Sequence, residues 1–348
     1  MSIFNERNRT VDILRFIAIV SIIIAHASPN ELLFRIRNFD VVLMVLLMGV
    51  SFNISQKEHS VKYNSYILKR FKRLIISTWI FLTAFFALFY MISNFSNKNL
   101  FFDIKTIVLS FAFNGGIGYV WVMYVFFVVS LFSPLILQLS EKIKSNNKYL
   151  LLLIFLYMIY HCSVSLNRLL PVNLGGNLQN YILTPFGYCL IAAVGIRFKN
   201  LNKKEILVMS SVLLSIFLIF MLLYKFKSTQ DFKYPPTIYY ISYGLFVSFA
   251  LYLIFNQQWV QNLIFNRFVF FYSKVSLNLY FLHIISIYTL NFYGQNIPLI
   301  SEYFIARFLF IICSAMLMTY LYECLIANWL KKRALKKIIK CIRCSLLR

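Results

Sequence analysis

The fold of this chain is decided by an apolar run near its start, residues 11–26, which reads VDILRFIAIVSIIIAH. A helix over this run, extended through Ser28, is long enough to cross a bilayer. Beyond Asp12 at its start, this run contains two ionisable residues, Arg15 and His26. Their spacing is three helical turns plus about 20°, so both side chains project from one face, about 16 Å apart along the axis. Because an ionisable group in a membrane span costs roughly 2.5–3.5 kcal/mol or more, we expect both residues to be used.

The composition of the whole chain predicts an all-α polytopic membrane protein. Of its 348 residues 60% are hydrophobic, and the mean hydropathy of +0.73 is far above that of a soluble domain. We predict a single transmembrane domain over residues 1–330, followed by a basic cytoplasmic tail over residues 331–348. The first apolar run carries Arg15 and lacks a small-residue cleavage site, which argues against a cleavable signal peptide. The ten predicted spans are 12–28, 39–55, 74–94, 118–139, 148–166, 180–198, 205–225, 236–256, 270–292 and 303–329.

One further segment, residues 103–114, is too short to span a bilayer and begins with a charge. We interpret it as a short interfacial or re-entrant helix on the outer side, ended by the glycines at 115, 116 and 118. No internal repeat is visible, which argues mildly against a transporter built from two repeats.

The net charge of +24 is distributed unevenly along the chain. With the N-terminus placed inside, the inner loops and tail hold about three times as many Lys and Arg residues as the outer loops, so both termini are predicted to be cytoplasmic. The excess is therefore interpreted as a signal for topology and for anionic membrane lipids, and no nucleic-acid partner is expected. The pair Cys341 and Cys344 lacks a second ligand pair, so no metal site is predicted.

Arg15 and His26 allow two interpretations. In the first, Arg15 extends to the inner interface beside Asp12, and His26 lies at the outer headgroup level. In the second, Arg15 holds an anionic group such as a nucleotide phosphate, and His26 acts as a general base. A donor with a phosphorylated head and a long flexible arm would connect the two.

Three further charged residues have equally open roles. Arg70 and Arg73, just before a predicted span, are either ordinary positive-inside charges or a phosphate clamp. Asp40 begins the second predicted span, where the helix dipole alone favours a carboxylate, but it would also be placed to orient His26.

The candidates for substrate-lining residues are polar or aromatic side chains within the predicted spans or at their ends. His283 lies in the middle of a predicted span, where a hydrogen-bonded structural histidine is the commoner case. Aromatic residues at span ends are usually interfacial, although sugar rings also pack on such faces. The candidates are Trp121, Tyr239, Tyr240, Asn278 and His283.

Taken together and in this order, five segments resemble the acyltransferase 3 family of integral-membrane O-acyltransferases. Residues 11–26 resemble the family signature of an Arg and a His separated by ten residues, and residues 70–73 resemble its Arg-x-x-Arg motif. Residues 120–124 resemble the Trp-containing start of a later span, and residues 273–283 resemble its late Ser-Leu-x-x-Tyr-Leu-x-His segment. Residues 233–240 are similar to bacterial members that modify polysaccharides. Two positions depart from the family pattern. Residues 44–52 replace a Phe-Phe-x-x-Ser-Gly-Phe run, and Ser77 replaces a proline.

The resemblance implies an acyl-CoA donor, usually acetyl-CoA, and a glycan hydroxyl as acceptor, with no bound cofactor. Arg15, Arg70 and Arg73 would bind the phosphorylated part of CoA, and His26 would activate the hydroxyl or carry the acyl group. The acceptor is expected to be a surface polysaccharide or lipid-linked oligosaccharide at a bacterial inner membrane. A transporter or flippase of lipid-linked glycans or small organic anions is the alternative, because buried Arg and His also mark substrate paths. The acceptor sugar and the oligomeric state stay open.

Overall fold

A computed structural model describes residues 8–58, 62–96 and 100–346 of the chain. Within those residues the protein is built of helices and contains no strand, which confirms the predicted fold class. The α-helices are α1 (Arg9–His26), α2 (Glu31–Ile36), α3 (Asp40–Glu58), α4 (Tyr63–Phe71), α5 (Ser77–Phe95), α6 (Ile104–Phe111), α7 (Trp121–Lys142), α8 (Asn146–Asn167), α9 (Val172–Leu178), α10 (Thr184–Phe198), α11 (Lys203–Leu223), α12 (Ile238–Phe255), α13 (Gln258–Ile264), α14 (Arg267–Lys274), α15 (Ser276–Tyr293), α16 (Pro298–Glu302) and α17 (Phe304–Leu346).

Nine of the ten predicted spans each coincide mainly with one of these helices, and the span 270–292 covers the end of α14 and most of α15. Within the described part of the chain, eight helical stretches are long and apolar enough to cross a membrane. The number becomes nine if α14 and α15, which meet at an angle of 82°, form one bent span. The α1 helix is not among them, because its 18 residues include the charged side chains of Arg9, Asp12 and Arg15.

Local sequence signals explain where several helices begin. The Asn8 side chain caps α1 by accepting a hydrogen bond from the Val11 amide at 3.2 Å. The α11 helix begins with a full capping box, in which Asn202 and Glu205 each accept a hydrogen bond from the other's backbone amide.

The centre of the bundle is α3, which packs against α1, α10 and α12. Its Gly49 and Gly195 of α10 lie at the crossing of these two helices. A Cβ at Gly49 would collide with the Ala192 carbonyl, and one at Gly195 would collide with the Leu46 carbonyl. Close backbone contact of this kind is typical of membrane helices with small residues at the crossing. The divergent run 44–52 thus still supports tight packing.

Residues 103–114 form the short helix that the sequence predicts. Asp103 caps α6 by accepting from the Thr106 amide at 3.0 Å, and the helix ends at Phe111. Gly115 and Gly116 then adopt φ values of +92° and +61°, a left-handed conformation that glycine permits. The position of α6 relative to the bilayer stays a prediction. At the other end of the chain, α17 continues into the predicted tail without a break as far as Leu346.

Candidate active site

A cavity of about 500 Å³ lies between α1, α3 and α7 and contains polar residues at two ends. We call the end with Arg15, Arg70 and Arg73 the arginine end. We call the end with His26, Arg37, Asp40 and Lys233 the histidine end. Because α1 is continuous from Arg9 to His26, the eleven-residue spacing places the two ends about 16 Å apart along its axis. Six of the predicted site residues line this single cavity: Arg15, His26, Asp40, Arg70, Arg73 and Trp121.

At the arginine end, Arg15 is held in place by neighbours on three helices. Its guanidinium donates to the Asp12 carboxylate at 3.1 Å and to the Ser51 hydroxyl at 3.0 Å. The buried Asp12 also accepts from the Ser273 hydroxyl, at the end of α14, at 2.9 Å. The side chain of Arg15 keeps 20% of its surface exposed. The Asp12 contact that the sequence predicts is therefore present, but the guanidinium lies at the wall of the cavity.

Arg70 and Arg73 approach the same end from α4 and the segment that follows it. Arg70 packs over the ring of Tyr66, with 5.1 Å between the guanidinium carbon and the ring centroid. Among the residues that the structure describes, no carboxylate pairs with Arg70. Arg73 lies in a single π-helical turn, Lys72–Ile76, between α4 and α5. Such turns often occur at functional sites because they change the direction of side chains within a helix.

His26 presents its imidazole to the cavity. Its ring packs edge-on against Tyr119, with centroids 4.7 Å apart, and against His283 at 5.7 Å. Within the described residues neither ring nitrogen has a hydrogen-bond partner. The ring is thus positioned by packing, and its nitrogens remain available to a molecule in the cavity.

Asp40 does not orient His26 through a hydrogen bond. Its carboxylate accepts from Arg37 at 2.8 Å and from the Val41 amide at 2.7 Å, and the Lys233 ammonium lies at 3.6 Å. The group that packs behind His26 is His283, whose Nδ1 bonds the Tyr280 carbonyl and therefore carries the proton. The contact geometry thus assigns Asp40 to an ion-pair cluster at the histidine end.

Sequence reasoning missed Arg37, Lys233, Tyr119 and Tyr234, all of which line the cavity. Arg37 and Lys233 lie between predicted spans, where exposed loop charges are expected, yet both are almost completely buried. Burial lowers the pKa of Lys233, and the Asp40 carboxylate opposes that shift. The ion pair between Arg37 and Asp40 could have been predicted, because the two residues are three positions apart. No local pattern in the sequence indicates that Lys233, a loop residue, is buried.

Four predicted site residues lie outside the cavity wall. Asn278 donates to Glu323 at 2.6 Å and joins α15 to α17. The Tyr239 hydroxyl donates to the Lys227 carbonyl at 2.9 Å, while Tyr240 is fully buried beside Tyr188. His283 is fully buried behind His26. These contacts fix the positions of Asn278, Tyr239 and Tyr240, and their substrate-lining role stays a prediction.

Comparison with known proteins places this geometry in a family context. The acyltransferase 3 family model, described as an acyltransferase domain, matches residues 8–324, which is most of the chain. The match includes every residue that lines the cavity. No curated protein and no solved structure matches the chain.

Proposed function

The chain belongs to the acyltransferase 3 family and is a multi-pass membrane acyltransferase, and from that premise we propose that it transfers an acetyl group from acetyl-CoA to a glycan hydroxyl. The donor would enter from the cytosol at the arginine end. The acceptor, a surface polysaccharide or a lipid-linked oligosaccharide, would enter at the histidine end. The proposed location is a bacterial cytoplasmic membrane.

The observation that supports this proposal is a single cavity that contains three arginines at one end and His26 at the other. Guanidinium groups bind phosphate through paired hydrogen bonds, so the arginine end suits the phosphorylated head of CoA. The separation of about 16 Å along α1 requires a donor with a long arm, which the pantetheine chain of CoA provides. The thioester would then lie beside His26 without leaving the protein.

The proposed reaction uses His26 as a general base. The imidazole accepts the proton of the sugar hydroxyl while the hydroxyl oxygen attacks the thioester carbonyl carbon. The carbon–sulfur bond breaks, and the CoA sulfur leaves with the pair of electrons and receives the proton from the imidazolium. In the alternative route, an imidazole nitrogen first takes the acyl group and then passes it to the hydroxyl. The absence of a protein hydrogen bond to the ring, among the described residues, suits both routes.

His26→Ala tests the proposal directly. We expect at least a hundredfold loss of transfer, because general-base catalysis typically contributes 10²–10⁴-fold. The full chain would be reconstituted in lipid nanodiscs with acetyl-labelled acetyl-CoA and with the surface glycan of a host strain that lacks the protein. His161→Ala is the matched control, since His161 is exposed on α8 and does not line the cavity.

Three results would decide between parts of the proposal and its alternatives. Wild-type transfer by a well-folded His26→Ala protein would show that His26 is not catalytic. Label bound to the protein after acid quenching, in the wild type and not in His26→Ala, would identify the acyl-histidine route. If loss of the protein from the host removed the whole glycan instead of its acetyl groups, a flippase would replace the transferase.

A further inference from the structure

The histidine end of the cavity contains more buried positive charge than its carboxylate neutralises. Arg37 and Lys233 are 5% and 4% exposed, and Asp40 is 1% exposed. Asp40 pairs with both cations, at 2.8 Å and 3.6 Å. Within the described residues no second carboxylate pairs with either cation. A charge that is buried without a partner is costly, so this cluster favours the arrival of an anion.

Arg37 retains hydrogen-bonding capacity after its bond to Asp40. The Nε atom is buried and has no partner among the described residues. The ring of Phe34 covers one face of the guanidinium, with the central carbon 4.1 Å from the ring centroid. The stacked ring holds the guanidinium plane in position, which suits the forked recognition of a carboxylate or phosphate.

The same end carries aromatic rings of the kind that pack against sugars. Trp121 and Tyr234 line the cavity and contact each other edge-to-face, with centroids 4.7 Å apart. Lys233 directly precedes Tyr234, and its ammonium lies 5.7 Å from that ring. Tyr119 flanks His26 on another side. Aromatic surface, two cations and a free imidazole therefore share one chamber.

We propose that the histidine end selects an acidic glycan, whose carboxylate or phosphate binds Arg37 and Lys233 while a neighbouring hydroxyl reaches His26. This inference rests on the proposed function and narrows its acceptor to a chemical class. The anion of the acceptor would neutralise the second positive charge, because Asp40 neutralises one of the two. The arginine end would serve the donor phosphates separately.

The test compares three forms of one acceptor. The glycan of a host strain lacking the protein is used untreated, after carboxyl reduction, and after removal of phosphate with hydrofluoric acid. The reconstituted full chain should acylate the untreated glycan at least tenfold faster than the form that has lost its anion, the range expected for one charge-assisted hydrogen bond. The treatment that causes the loss identifies the anion as a carboxylate or a phosphate.

Lys233→Gln should bring the rates for charged and neutral glycan to within about twofold of each other, because Asp40 then balances Arg37, the one cation that remains. Lys233→Arg should keep the preference for the charged glycan. Arg35→Gln is the control: Arg35 is a partly exposed arginine that bonds Glu31 and the Phe226 carbonyl and does not line the cavity.

Three results would overturn the inference. Equal wild-type rates with all three glycans would disprove selection of an anion and leave the transferase function intact. A uniform loss in Lys233→Gln, with the preference unchanged, would assign Lys233 to the reacting oxyanion or to packing. No acylation of any glycan by the wild-type protein would contradict the proposed function itself, and the inference with it.

Discussion

The two ends of the cavity are both cationic, but they differ in their exposure to water. At the arginine end, Arg73 is exposed and Arg70 and Arg15 are partly exposed, so their charge is partly solvated. At the histidine end, Arg37 and Lys233 are almost fully buried. A solvated cation costs little free energy without a protein partner and can bind and release an anion readily. A buried cation needs each of its partners for its stability. The difference in exposure fits our proposal of reversible donor binding at the arginine end and rigid acceptor recognition at the histidine end.

Removal of the carboxylate should have the largest effect at the histidine end. Asp40→Asn leaves two buried cations unpaired and should lower stability by about 3–5 kcal/mol. Asp12→Asn should cost about 1–2 kcal/mol, because its partner Arg15 is partly exposed to water. Thermal unfolding in detergent compares the two variants. Part of the lost stability should return when Lys233→Gln is added to Asp40→Asn. An equal loss of stability in Asp40→Asn and Asp12→Asn would contradict the difference in burial.

Arg15→Lys should weaken donor use while acceptor use stays unchanged. Lysine keeps the charge but loses the forked contact with phosphate, so the KM for acetyl-CoA should rise about tenfold. Initial rates at varied donor and acceptor concentrations separate the two effects. The control is Arg9→Lys on the same helix, because Arg9 packs over Phe265 and does not line the cavity. A rise in the acceptor KM alone would reverse the assignment of the two ends.

Salt should weaken donor binding at the arginine end much more than acceptor selection at the histidine end. Exposed charges are screened over about 10 Å at 0.1 M ionic strength and over about 3 Å at 1 M, while buried pairs are screened much less. The KM for acetyl-CoA should therefore rise several-fold between these two salt concentrations. The preference for a charged over a neutral glycan should change by less than about twofold. Parallel salt dependence of both quantities would show that the two ends are equally solvated.

The smallest effect is expected at a residue that lies outside both ends. Asn278→Ala removes the hydrogen bond to Glu323 between α15 and α17 and should cost about 1 kcal/mol of stability. Both KM values should match those of the wild type, because Asn278 does not line the cavity. A change in the acceptor KM alone would show that Asn278 contributes to acceptor binding.

The sequence predicted the arginine end better than the histidine end. Arg15, Arg70 and Arg73 stand out because motif spacing and helical periodicity are local properties of a chain. The predicted spans coincide with helices for the same reason, since length and hydropathy can be read within one segment. Within the described residues, eight or nine helical stretches are long and apolar enough to cross a membrane. The orienting role predicted for Asp40 depended on a contact between two helices. The actual partners, Arg37 and Lys233, lie three and 193 positions away along the chain.

By itself, the sequence determined the helical membrane fold, the placement of Arg15 and His26 on one face of α1, and the family. These follow from periodicity, hydropathy and spacing, which act over short stretches of chain. Only the tertiary structure decided that both ends share one cavity, that His283 lies behind His26, and that a loop lysine is buried against Asp40. Burial and ion pairing depend on which distant segments meet, and the packing of α1, α3 and the loop before α12 is what brings those segments together.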